Sequence, residues 1–182
     1  MSFQSRDEVH RDYHAFFELL GHFVTRYQSV EDYLVHVFAS LLAEDKERSK
    51  AIFATARGID PKLKLIDAAL IGHDRSTQRM WKSLRKCVSK AHETRGYLAH
   101  CSPISTGRIV VSLDDDQPGY STRWMEARKL TRKGERAWKT DDLKAELNLV
   151  SKLLDALIAF VHLRTGKRPA DHLMAALSEL TQ

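Results

Sequence analysis

Three long stretches of the chain place hydrophobic residues at the three- and four-residue spacing of an amphipathic helix. Apolar side chains that recur in this way form one stripe, which faces a core. The pattern therefore predicts long helices over about residues 6–44, 76–101 and 140–165. In the first of them the stripe consists of Val9, Tyr13, Phe16, Leu20, Phe23, Tyr27, Val30, Leu34, Phe38 and Leu41.

Shorter helical segments are predicted over about residues 48–57, 60–71 and 170–180. Asp60 precedes a proline and is the expected N-cap of the second of these segments, because a proline fits the first helical position. Gly166 is expected to end the long helix that precedes the last segment, since glycine tolerates the left-handed conformation of a helix C-terminus.

A different pattern lies between the second and third long helices. Residues 108–113 read Arg-Ile-Val-Val-Ser-Leu, which is typical of a strand, and residues 114–119 end in Pro-Gly, which favours a turn. Residues 120–130 can return as a second strand. The sequence thus predicts an all-α protein, an antiparallel helical bundle with a small β-hairpin insertion near residues 108–130 (about 107–133 with its flanks), in one domain over residues 1–182.

Composition fits a folded soluble protein. The 182 residues are 43% hydrophobic and 29% charged, and the net charge of +5 favours polyanionic partners. Two cysteines imply no disulfide framework. The polar first residues predict no signal peptide, and the longest apolar run is too short for a membrane span. We therefore expect a cytoplasmic protein that has no membrane partner.

Basic residues follow one face of the second long helix. Continuing the same face brings Glu93, Tyr97 and His100 onto it. A row of cations leading towards a histidine is suited to a phosphate backbone, and a merely solvated face is the alternative. The cations of this row are Arg75, Arg79, Lys82, Lys86 and Lys90.

Arg95 lies instead on the apolar side of that helix, about 140° from His100. The two side chains can act on one group only if the helix is distorted or a second chain contributes. Glu31 falls in the middle of the apolar stripe of the first helix. Because an unpaired buried charge is costly, the sequence predicts a buried Glu31–Arg95 ion pair.

The segment Arg95-Gly-Tyr-Leu-Ala-His100, together with the order of the long helices, resembles the HEPN superfamily, whose signature is an arginine followed four to six residues later by a histidine. The resemblance implies a homodimeric, metal-independent ribonuclease with a composite site of Arg95 and His100. It leaves open whether an antitoxin protein or a nucleotidyltransferase is a partner, as in toxin–antitoxin systems. Gly96 stands where many members carry a polar residue.

Two functional interpretations follow. In the first, the protein binds RNA and cleaves it without metal or cofactor: His100 removes a proton from a ribose hydroxyl, Arg95 stabilises charge on the phosphate, and Glu93 and Tyr97 orient the nucleotide. In the second, the protein is a non-catalytic helical module for interaction or dimerisation. There Arg95 belongs to a structural ion pair and His100 merely closes a helix.

Overall fold

The computed structural model describes residues 6–42, 46–99, 102–110, 119–131 and 134–181, and the side chains of residues 14–42, 46–99 and 138–181. Within these ranges the chain is mostly helical, with six helices and three strands. In chain order they are α1 (Arg6–Leu42), α2 (Lys46–Ala54), α3 (Ile59–Ala69), α4 (Arg75–Ala99), β1 (Ser102–Val110), β2 (Gly119–Thr131), β3 (Gly134–Lys139), α5 (Thr140–Arg164) and α6 (Asp171–Thr181).

The three long helices predicted from the hydrophobic spacing are confirmed as α1, α4 and α5, and the three short ones as α2, α3 and α6. Gly166 ends α5 as expected: it has φ 70°, and the Lys167 amide donates to the His162 carbonyl at 2.8 Å. The predicted N-cap of α3 was wrong by two residues. Gly58, with φ 83°, is its N-cap, and Asp60 lies in the first turn.

The strands form one antiparallel sheet in the order β1-β2-β3. The β1–β2 pairing runs from Ser102 opposite Arg128 to Val110 opposite Gly119, and its register shifts after Thr106. These strands occupy the region for which a hairpin is predicted. The predicted turn at 114–119 lies outside the described residues except at its last position. The third strand, β3, pairs with β2 and was not predicted.

The chain falls into two compact units, and the single domain expected from the sequence stays a prediction. One unit comprises Met1–Val24 and Arg95–Leu147, and includes the sheet. Its buried side chains among the described residues include Phe16, Phe23, Leu98, Trp138 and Leu143. The other unit comprises Thr25–Thr94 and Asn148–Gln182.

The core of this second unit is built from the apolar faces of its helices. Trp81 of α4 is only 2% exposed, and its ring packs against Phe160 of α5. Phe38 of α1 contacts Phe53 of α2. Burial of these faces holds α4 in place and leaves its opposite face in solvent. Further fully buried side chains of the unit are Leu34, Leu63, Ile66, Leu84, Leu153 and Leu157.

Candidate nucleic-acid interface

The exposed face of α4 carries the cations that the sequence places in a row. The side chains of Trp81, Leu84, Val88 and Ala91 are buried along the other face of the helix. Since α4 is one continuous helix, the residues on the side opposite these four point to solvent. We call the following five the basic face; all are exposed: Arg75, Arg79, Lys82, Lys86 and Lys90.

The basic face is a line of cations of regular spacing. From Arg75 to Lys90 the helix rises about 22 Å, and successive cations are about 4.5–6 Å apart along the axis. The structure shows no salt bridge to Arg75, Arg79, Lys82 or Lys86 within the described part of the chain. Four of the five charges are therefore open to an external anion.

Arg85 has a different surrounding, although it lies on the same helix. Its Nε lies 3.0 Å from Oδ2 of Asp67 in α3, and Oδ1 of Asp67 accepts a 2.8 Å hydrogen bond from the Trp81 indole. One carboxylate thus ties two side chains of α4 to α3. This contact fixes the position of the helix and neutralises Arg85.

A cleft of about 460 Å³ opens beside this contact. Leu70 and Ile71, which follow α3, line one part of it, and the Ile71 side chain is 83% exposed. The remaining lining residues belong to the Asp67 contact or to the first three turns of α4. They include Lys82, so the cleft adjoins the basic face; the others are Asp67, Gln78, Trp81 and Arg85.

The first turn of α4 is fixed by Asp74, which precedes the helix. Its carboxylate accepts hydrogen bonds from the Thr77 amide at 2.9 Å and from the Thr77 hydroxyl at 2.7 Å. The hydroxyl bond, then the amide bond, lower the pKa of Asp74, and the nearby Arg164 guanidinium adds to this. The carboxylate is thus charged at neutral pH and caps the helix.

Arg164 of α5 forms hydrogen bonds that stabilise the same turn. Its guanidinium donates to the Thr77 hydroxyl at 3.3 Å and to His73 Nδ1 at 3.1 Å, while His73 Nε2 lies 3.0 Å from the Leu41 carbonyl. Because a carbonyl only accepts, Nε2 is the donor, and Nδ1 is left to accept from Arg164. The start of the basic face is therefore tied to both α1 and α5.

The expected Glu31–Arg95 ion pair was wrong. The Arg95 side chain is exposed, and Glu31 Oε1 accepts a 2.8 Å hydrogen bond from Lys62 Nζ of α3. Glu31 and Lys62 are each 21% exposed, so this is a half-buried salt bridge. The Arg95 side chain is thus exposed, although the hydrophobic pattern of α4 predicts a buried residue at this position.

The other motif residues have separate surroundings. Glu93 is exposed, and the half-buried ring of Tyr97 lies 6.0 Å from the ring of buried Trp138, centroid to centroid. His100 lies outside the described residues. A Cβ added at Gly96 would meet no atom within 4 Å in the described part of the chain, so packing against those residues does not require glycine there.

Two polar contacts in the second unit were missed from the sequence. A 2.7 Å hydrogen bond joins the hydroxyl of buried Tyr27 to Nδ1 of His92, and the Asp67 carboxylate holds Trp81 and Arg85. A signal was available for the first contact, since Tyr27 lies in an apolar stripe and a buried hydroxyl needs a partner. No spacing rule links Asp67 to residues 14 and 18 positions further on.

Comparisons with protein-family models, with curated proteins and with solved structures found no match to this chain. The HEPN resemblance therefore stays a prediction that depends on Arg95, His100 and the helix order. Among the helices in the described ranges, none has the length and apolarity needed to span a membrane.

Proposed function

We propose that this protein binds RNA through the basic face of α4 and cleaves it as a HEPN-like homodimer. In this proposal the helices form the antiparallel bundle of that superfamily, and an antitoxin protein holds the enzyme inactive. The observation that carries the RNA-binding part is the basic face itself, five exposed cations along 16 residues of one helix. A phosphate backbone is the polyanion that such a line suits best.

The catalytic part of the proposal uses residues of the motif. His100 takes the proton of a ribose 2′-hydroxyl, and the oxygen attacks the adjacent phosphorus. The bond from phosphorus to the 5′-oxygen breaks, that oxygen takes a proton from water, and a 2′,3′-cyclic phosphate remains. Arg95 stabilises the charge on the phosphate oxygens, and its exposure supports this role because an accessible guanidinium can reach a substrate.

Binding is tested by fluorescence anisotropy with labelled single-stranded RNA at one salt concentration. Lys86→Ala removes one cation of the basic face and should weaken binding several-fold, because one phosphate contact is lost. Lys152→Ala is the matched control: it removes the same charge, but Lys152 is held by Glu179 at 2.6 Å. Equal weakening by both variants would mean that only the net charge matters, and the basic face would not be the binding site.

Cleavage is tested by incubating RNA with the protein in excess chelator. Wild type should leave cyclic phosphate ends, and His100→Ala should lose about 10²–10⁴-fold in rate, since that is what a general base typically contributes. Arg95→Ala is a second probe, because an exposed side chain can be removed without unfolding the chain. Cleavage that survives in both variants would refute the catalytic assignment.

A non-catalytic dimerisation module is the second candidate, and the open space over Gly96 favours it. A helix with glycine at an open position permits close approach of another helix. In that case RNA is not cleaved by wild type or by His100→Ala, while Gly96→Leu should convert a dimer into a monomer in light scattering. RNA cleavage by wild type would exclude this second candidate.

A further inference from the structure

We infer that the cleft beside the basic face is a base subsite, which takes an RNA base bearing an exocyclic amino group and discriminates against uracil. The inference rests on the proposed RNA binding and adds a specificity to it. Lys82 belongs both to the basic face and to the lining of the cleft. A strand whose phosphates lie on the basic face would therefore have a base within reach of the cleft.

The cleft has the size and the apolar surface that a base needs. Its volume of about 460 Å³ lies within the range of about 300–1,000 Å³ typical of small-molecule sites. Ile71, which is 83% exposed, offers aliphatic surface to the flat face of a base, and the buried Leu70 also lines the cleft. A base that packs on the exposed Ile71 side chain would bury apolar surface, and this burial favours binding.

Acceptors in the cleft favour an amino group on the base. The Gln78 amide nitrogen donates to the His73 carbonyl at 2.8 Å, and this leaves Gln78 Oε1 as an acceptor. The Asp67 carboxylate accepts a hydrogen bond from Trp81, forms a salt bridge with Arg85 and has further lone-pair sites. The exocyclic amine of adenine, cytosine and guanine has two N–H groups that can donate to such oxygens, whereas uracil carries a carbonyl oxygen at the corresponding position and has a single ring donor, its N3–H.

The same carboxylate argues against phosphate as the occupant. Asp67 pairs with Arg85, so two of the charges in the lining offset one another and Lys82 remains at the edge. A phosphate placed in the cleft would meet the Asp67 carboxylate, and like charges repel. The base then occupies the cleft while the phosphates stay on the basic face.

The test compares labelled oligocytidylate with oligouridylate of equal length, because the two bases have the same ring size and differ only at the exocyclic group and the adjacent ring nitrogen N3. Wild type should bind oligocytidylate at least about fivefold more tightly, as one well-placed base contact allows. Gln78→Leu should bring the ratio close to one, because the acceptor for the exocyclic amine is lost and oligocytidylate binding weakens. Gln28→Leu is the matched control, an exposed helical glutamine whose amide donates to Asp32 outside the cleft.

A second variant keeps the test independent of Gln78. Ile71→Ser removes an exposed apolar side chain, which cannot unfold a core, and should weaken oligocytidylate binding at least about threefold. Equal binding of both oligonucleotides by wild type would overturn the base subsite and leave the RNA-binding proposal standing. A preference that persists in Gln78→Leu and Ile71→Ser would place the discrimination outside the cleft. No binding to either oligonucleotide would overturn both proposals.

Discussion

Among single residues, Glu31 is where the structure departs furthest from the sequence prediction. Its partner is Lys62, whose Nζ also lies 5.8 Å from the centre of the Phe53 ring. Glu31→Gln should lower the free energy of unfolding by about 1 kcal/mol, since a half-buried pair is stronger than a surface one. A urea double-mutant cycle with Lys62→Met should show that the two substitutions are not additive.

Arg95→Ala is the companion measurement. Because the Arg95 side chain is exposed, its removal should change the free energy of unfolding by less than about 0.5 kcal/mol. A loss of several kcal/mol would mean that Arg95 is buried against an anion after all. The expected small effect makes this variant a clean functional probe, which the sequence prediction of a buried pair did not allow.

Because of Asp74, the free energy of unfolding should depend on pH in the acid range. The Thr77 hydroxyl and amide lower its pKa, so this cap stabilises the fold above the ordinary aspartate pKa of about 3.9 and loses that effect as pH falls through the lowered pKa. Urea titrations from pH 7 to pH 2 should show a smaller acid-dependent loss in Asp74→Asn, because asparagine caps a helix without ionising. Identical pH profiles would contradict this role.

At the scale of one element, α4 contains a glycine, Gly96, that packing against the described residues does not require. Gly96→Ala should raise the free energy of unfolding by about 0.5–1 kcal/mol, because alanine loses less backbone entropy in a helix. Gly21→Ala in α1 is the matched control, since a Cβ there also meets open space. If a phosphate or a second protomer approaches α4 at Gly96, only the Gly96 variant should lose RNA cleavage or dimerisation. Equal activity of both variants would contradict such an approach.

Helices were predictable because their periodicity is local. The stripe from Phe16 to Leu41 defines α1 without reference to any other part of the chain. β3 was not predictable in the same way, because residues 134–139 read Gly-Glu-Arg-Ala-Trp-Lys and their pairing with β2 depends on the neighbouring strand.

The candidate site was predictable in part for the same reason. The basic face follows from spacing on one helix, and the structure places all five cations in solvent. The partner of Glu31 could not be predicted from the sequence. Periodicity defines the apolar side of a helix, but it does not define which other element packs against that side or at which residues. The cleft also depends on two helices, and its Asp67 contacts join residues that no local pattern connects.

At the scale of the whole molecule, the proposed composite site predicts complementation between two inactive variants. Arg95→Ala and His100→Ala should each be inactive alone. When equal amounts of the two variants exchange subunits at random, about a quarter of wild-type activity should return. Half of the dimers then contain one subunit of each variant, and each of these dimers has one intact site out of two. If mass spectrometry verifies that the subunits have exchanged and no activity is recovered, then either both residues of one site belong to the same chain or they are not catalytic.

The salt dependence of RNA binding tests the central claim most directly, because the claim is that the cations of the basic face contact phosphates. For single-stranded RNA, the logarithm of the association constant should fall against the logarithm of salt concentration with a slope of about −2.8 from the four open cations of that face, and about −2.1 in Lys86→Ala. Lys152→Ala should keep the wild-type slope, since its cation is already paired with Glu179. A wild-type slope near zero, or the same slope in wild type and Lys86→Ala, would contradict the account.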